Sequence, residues 1–289
     1  MIRLRAALAF VLFAAACGES DGGRYPVRLS LSLPDEAAEL ELPVSAALQA
    51  ALADSAIFAP ERQAGGMVHG EAVLSRDAPE APWLLHVGVG VPDELRSQFA
   101  VSAITASASA GTDAFRPSSE ALTEAARRAI AGLEAQCRLA RGDAGGLEVL
   151  LASDEPSQLL VAVRYVGDRE AREHATRLLP LLRNEDTRVR VAVLDVLGSV
   201  GTRDHAAAIV REAHRLDPGS TREAYRALAR LGGADAVGFL RFAAANEDDP
   251  ELRAEAERAL SSALSGKPPS AAEGPRGVDL PKLARGHRQ

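Results

Sequence analysis

Residues 178–190 read Leu178-Leu179-Pro180-Leu181-Leu182-Arg183-Asn184-Glu185-Asp186-Thr187-Arg188-Val189-Arg190. An apolar helical run gives way to an acidic loop, and a Val-Arg pair opens a second helix. The loop supplies a cap for that helix, since Asp, Asn, Ser or Thr ahead of a helix accepts hydrogen bonds from its free amides. Asp249-Pro250-Glu251-Leu252-Arg253-Ala254-Glu255-Ala256 repeats the arrangement, with Pro250 suited to a first helical position. Further polar loops stand at Asp154-Glu155-Pro156 and Asp217-Pro218-Gly219-Ser220. An apolar segment precedes every loop, over 147–152, 171–182, 206–216 and 236–245. A hydrophobic residue and a small one close each unit: Val166-Gly167, Leu197-Gly198, Leu231-Gly232 and Leu260-Ser261, at intervals of 31, 34 and 29 residues. The periodicity predicts helix, loop, helix and tight corner, about four times over 143–266.

These stretches resemble HEAT repeats, in which an apolar helix, an acidic loop and Val-Arg follow one another. The short period is similar to the HEAT-like subgroup of phycobilin lyases and of many bacterial proteins. The first unit departs from the pattern, with Gln158 where Val189 stands, and the third has Ala224 where Arg190 would align. The resemblance implies an all-α solenoid whose stacked helix pairs share one elongated core. Gly198, Gly232 and Ser261 are expected to leave their helices in a left-handed conformation. Asp186 with Arg190, and Asp249 with Arg253, are spaced to pair along a helix surface. The functional alternative is that Arg190, Arg222, Arg226 and Arg253 line a concave face and grip an acidic partner.

The preceding half has a different rhythm. Val27-Arg28-Leu29-Ser30-Leu31-Ser32-Leu33 alternates as a half-buried strand does. Segment 44–58 reads as an Ala-rich helix, and 70–76, 83–91 and 101–109 read as strands. The last of these is built mostly of small residues, which specify register weakly. Ser118 to Arg141 forms an amphipathic helix leading into the repeats. The order β-α-β-β-β-α predicts a small α+β domain over 25–142 with a largely antiparallel sheet, and we recognise no family in it. The expected fold class is therefore mixed, an α+β domain followed by a HEAT-like solenoid.

The chain opens with Arg3 and Arg5, an apolar run from Ala6 to Ala16, and Cys17 directly after three alanines. That order predicts a secretory signal over 1–16. A cysteine in that place resembles the lipobox of bacterial lipoproteins, which implies a lipid on Cys17 and membrane attachment. An ordinary cleaved signal with an incidental Cys17 is the alternative. Eleven apolar residues extend about 16 Å as a helix, too short for roughly 30 Å of hydrocarbon. Gly18, not Asp, follows the cysteine, which by the enterobacterial sorting habit implies the periplasmic face of the outer membrane. Residues 17–24 read as the lipidated cysteine with a glycine-rich linker. Residues 267–289, with net charge +3, read as a disordered tail.

Charge argues against nucleic acid as a partner. The 289 residues carry net −7, and neither 18–142 (net −7) nor 143–266 (net −5) has the basic excess that phosphate neutralisation requires. Cys137, the second of two cysteines, sits in the predicted amphipathic helix, where a buried thiol is a small hydrophobe. The six histidines show no metal-ligand spacing, and no nucleophile elbow, phosphate loop or His-Glu-x-x-His pair occurs. No cofactor is expected. The sequence points to a lipid-anchored cell-envelope protein that binds another protein through a HEAT-repeat surface without catalysis. Two alternatives stay open. One is a lyase-like enzyme handling a small molecule or chromophore. The other is a structural component of an envelope complex, docked through its α+β domain.

Overall fold

The computed structural model describes residues 24–61, 68–99, 101–111 and 116–265. The expected signal segment, Cys17, most of the linker and the 267–289 tail lie outside the described residues. Among the described residues five strands form one sheet: β1 (Tyr25–Ser32), β2 (Phe58–Pro60), β3 (Val68–Ser75), β4 (Leu84–Gly90) and β5 (Ala103–Ser109), in spatial order β2-β1-β3-β4-β5. Helices α1 (Glu41–Asp54) and α2 (Ser119–Ala140) complete the N-terminal part. The alternation read from the sequence sets the inner face, where Leu85, Val87 and Val89 of β4 and Ile104, Ala106 and Ala108 of β5 are buried. Ala125, Ala126 and Ala129 of α2 belong to the same core, so small residues meet small residues and the layers approach closely.

The sheet is mixed, which corrects the expectation of a largely antiparallel one. β1 runs parallel to both β2 and β3, while β3-β4 and β4-β5 are antiparallel. The α1 crossover carries the chain back before it re-enters the sheet, and such a return makes neighbouring strands parallel. The expected helix to Phe58 ends at Asp54, and Phe58 opens β2. Glu134 of α2 stops it there. Its Oε1 accepts from Ala56 N at 2.6 Å, from Ile57 N at 3.3 Å and from the Ser55 hydroxyl, pulling the chain out of the helix.

Among the described residues four helix pairs follow. They are α3 (Gly145–Leu151) with α4 (Pro156–Asp168), a 3₁₀ helix (Arg172–Arg183) with α5 (Thr187–Val200), α6 (Arg203–Glu212) with α7 (Pro218–Leu231), and α8 (Gly233–Asn246) with α9 (Pro250–Ser265). The loops cap as the sequence predicts in the last three pairs. Asp186 accepts from Arg188 N at 2.7 Å, Asp217 from Gly219 N at 3.0 Å, and Asp249 from Glu251 N at 2.8 Å. Counted from these caps, Thr221 rather than Ala224 occupies the place of Arg190. One core runs through the stack, from Leu139 and Leu147 to Ala256 and Ala259.

The hydrophobic-small pairs have a different task from the one expected. Of the three residues expected there, Gly232 alone leaves its helix with positive φ (64°); Gly198 and Ser261 lie inside α5 and α9, and after α4 the left-handed residue is Glu170 (φ 50°). Gly167 and Gly198 are points of close approach between successive second helices. A Cβ on Gly167 would lie 2.9 Å from Val196 Cγ2, and one on Gly198 would lie 2.9 Å from the Ala227 Cα. The second helices thus form the tightly packed layer of the stack.

The solenoid is joined to the sheet through the free edge of β5. An open edge presents unpaired amides and carbonyls and invites other strands. Here side chains occupy it: Gln136 Nε2 donates to Thr105 O (2.7 Å), Gln158 Nε2 to Ser107 O (3.1 Å) and Arg128 Nη2 to Ser109 O (2.6 Å). Glu155 Oε1 accepts from Ser109 N at 2.5 Å. Gln136, Gln158 and Glu155 are all buried. At the opposite edge, Arg24 donates to Phe58 O from both Nε (2.9 Å) and Nη2 (2.7 Å).

Candidate functional site

The four arginines singled out in the sequence do not form one patch of free charge. Arg190, with a side chain only 13% exposed, closes its own loop by donating to Asn184 O (2.5 Å) and Glu185 O (2.8 Å), then reaches Ser220 Oγ (3.2 Å) and the Asp217 carboxylate of the next pair. It does not pair with Asp186, which holds Arg188 instead. Burial raises the Asp217 carboxyl, but hydrogen bonds from Arg190 and Ser220 outweigh it and hold that group well below the ordinary carboxylate range. Arg253 likewise passes over Asp249 and donates to Glu247 O (2.7 Å) and Asp248 O (3.3 Å). At these two second-helix starts the guanidinium donates to the carbonyls of its own loop.

Arg222 and Arg226 bridge α7 to α9. Arg222 Nη2 lies 3.2 Å from Glu251 Oε2, and Arg226 Nε lies 2.9 Å from Glu255 Oε1. Both links span 29 residues, as do Arg183–Glu212 (2.6 Å), Arg177–Glu148 and the contact of Thr176 Oγ1 with His205 Nε2 (3.2 Å). This offset recurs at several contacts between pairs, while α5 meets α7 through Arg190–Asp217 and Arg230–Asp195, which span 27 and 35 residues. Burial raises the Glu255 carboxyl, yet Arg226 and Arg258 pull it below its ordinary value. Glu223 is the exception, its carboxyl raised by burial in spite of Arg230 and Arg226. Of the four arginines, Arg222 is the most open bridge, its side chain 42% exposed beside a still more exposed Glu251.

A second surface lies on the side of the first helices. A cavity of about 340 Å³ opens between α6 and α8, lined by Ala207, Val210, Arg211, Asp235 and Phe239. The Phe239 ring packs against Tyr225 with centroids 6.2 Å apart. One turn further along α8, Phe242 is 64% exposed. Among the described residues no ion pair engages Arg211 or Asp235, and no His, Cys, Asp and Glu cluster is arranged to hold a metal. Nor is any described helix long and apolar enough to cross a membrane.

Register, spacing and capping now stand together. Residues 175–261 match HEAT repeats. No curated protein and no solved structure matches the chain. The matched span covers the second pair almost from its start and continues into α9, so the chain carries HEAT repeats there. HEAT repeats are in general scaffolds for protein interaction, offering an extended face built from many short helices. The pairs α6–α7 and α8–α9, which frame the cavity, lie inside the matched span.

Sequence reading missed the groove and the sealed sheet edge. Phe239 and Phe242 carried a signal, since two aromatics one turn apart are conspicuous in a chain with 4% aromatic residues. Gln158 carried another, as a polar residue standing at a core position.

Proposed function

We propose that this protein is a lipid-anchored cell-envelope scaffold that binds another protein through its HEAT repeats and catalyses no reaction. Cys17, following its basic and apolar leader, would carry the lipid and tether the chain to the periplasmic face of the outer membrane. A firm anchor is consistent with multiple acyl chains, each buried CH₂ contributing about 0.8 kcal/mol. The observation that carries the binding reading is the run of HEAT repeats over 175–261, whose second-helix layer carries both charge signs across Asp195, Arg222, Glu223, Arg226, Glu251 and Arg258. Arg222 and Arg253 are the members of the original four best placed to meet an acidic partner, while Arg190 and Arg226 hold successive helix pairs together.

The test is in-cell crosslinking of the full chain against an Arg222→Glu/Arg253→Glu variant. A protein captured by the unaltered chain and lost from the variant supports recognition through the second-helix layer. Identical capture by both removes these arginines from the interface, and capture of nothing by either sinks the scaffold reading. For the anchor, Cys17→Ala protein is expected in the soluble fraction. Its continued cosedimentation with membranes would refute lipidation as the means of attachment.

A further inference from the structure

The groove between α6 and α8 lies on the first-helix side, away from the second-helix layer. Arginines at the pair-to-pair contacts are engaged: Arg177 by Glu148, Arg183 by Glu212, Arg222 by Glu251, Arg226 by Glu255, and Arg230 by Asp195 and Glu223. Arg211 and Asp235 both line the groove, yet no ion pair joins either to a described residue. They stand toward opposite ends of it. Asp235 is in the first turn of α8 and Arg211 in the last turn of α6. Both helices begin their pairs and therefore run in the same direction. Between those charges the floor is apolar, formed by Ala207, Val210 and Phe239. Beside it Phe242 projects outward, 64% exposed and one turn from Phe239.

We infer that this face is a self-association surface, in which a second copy of the chain inserts its Phe242 into the groove and receives Phe242 in return. A two-fold interface requires a self-complementary patch, so that what one copy offers the other accepts. An acid at one end of an apolar strip and a base at the other meet that requirement. Rotation about an axis through the strip places Arg211 opposite the second copy's Asp235, and Asp235 opposite its Arg211. Each copy also supplies one protruding ring and one vacant apolar groove, the pairing of anchor and pocket that dominates protein interfaces. A patch carrying one charge sign would favour a foreign partner of the opposite sign; this one carries both, in mirrored places.

The experiment uses the full chain with p-benzoylphenylalanine at position 242, which preserves an aromatic ring there. Isotopically heavy and light preparations are mixed in mild detergent and irradiated. Cross-linked peptides joining position 242 of one isotope to the α6 peptide, 203–215, of the other are expected. A bond to α6 of its own isotope only, or to none, overturns the proposal, as does capture of another protein in place of the second copy when the same chain is irradiated in cells. The charge arrangement has its own readout. Arg211→Glu and Asp235→Arg should each reduce the mixed-isotope product about tenfold or more, the effect of two lost favourable pairs and two gained repulsions, since the two-fold axis repeats each contact. The double variant Arg211→Glu/Asp235→Arg should restore it. Both residues are at the surface, so the single variants keep their fold, and restoration cannot arise from general damage. A double variant no better than the singles would overturn the two-fold arrangement.

Discussion

Gln158 Nε2 donates a hydrogen bond to Ser107 O at 3.1 Å, joining the first long helix of the solenoid to the outer edge of the sheet. The amide is 3% exposed and occupies the place that Val189 fills one unit later. Gly132 leaves room for it, since a Cβ there would lie 2.8 Å from the Gln158 side chain. With Gln136, Arg128 and Glu155 it replaces the strand that would otherwise have to cover β5. These bonds also pin the register of β5, whose small side chains specify it poorly.

Gln158→Leu should cost about 1–3 kcal/mol, because the part-buried Ser107 O would lose its donor. Urea unfolding followed by Trp83 fluorescence and by far-ultraviolet circular dichroism separates the two halves, since Trp83 lies in the sheet core and most helix in the solenoid. Coincident transitions are expected for the unaltered protein, and a lowered or split transition for the variant. Separate transitions before any substitution would show that the sealed edge does not couple the halves.

Gly198→Ala should destabilise the solenoid by about 1–3 kcal/mol, since the added methyl meets the Ala227 backbone and the Arg230 guanidinium at under 3 Å. Gly238→Ala is the counterpart. Nothing lies within 4 Å of a Cβ there, so removing glycine from a helix interior should stabilise by up to about 1 kcal/mol. Thermal melts of the two variants, shifting in opposite directions, would verify the tight layer.

Acid should loosen the stack before it affects the sheet. The folded carboxyls of Asp217 and Glu255 are depressed, so their contribution is present above the ordinary carboxylate pKa and is lost as pH falls toward the folded value. Asp217→Asn removes that dependence along with the Arg190 ion pair. The stability difference between this variant and the unaltered protein should therefore be largest near neutrality and shrink steadily below about pH 4. A difference independent of pH would show that Asp217 acts only as a cap.

Burial raises the Cys137 thiol to about 12. The thiolate is the reactive form, so maleimide should leave this residue unmodified in the native protein and label it in urea. Peptide mapping at Cys137 after a short pulse checks this. Native labelling at the rate of a free thiol would mean that α2 opens locally.

The helical half was largely legible because its signals are local. A capping aspartate such as Asp217, a first-turn proline such as Pro250 and an apolar stripe all act within a few residues of themselves. Misreadings began where a residue answers to a distant partner. Gly198 follows a hydrophobic residue near a helix end, as a terminator does, but its small size serves Ala227 in the next pair. Arg190 is four residues from Asp186, yet local carbonyls and Asp217 outcompete that carboxylate. Val44 to Phe58 has uniform helical composition, and the break at Ser55 is set by Glu134, nearly eighty positions away. Gln158 looked like a flaw in a repeat for the same reason. The α6–α8 groove was beyond reach of a one-dimensional reading, since it exists only where two non-consecutive helices lie side by side.

The side chains sealing β5 give the array a direction of growth. Its first unit is fitted to the sheet through Gln158 and Glu155 and can serve at no other place. Later units meet one another through helix-to-helix ion pairs such as Arg183–Glu212 and Arg226–Glu255 and need no such fitting, so a duplicated pair could be accommodated among them. Any lengthening of this arm would therefore occur toward the carboxyl end, extending its reach while leaving the seated base as it is.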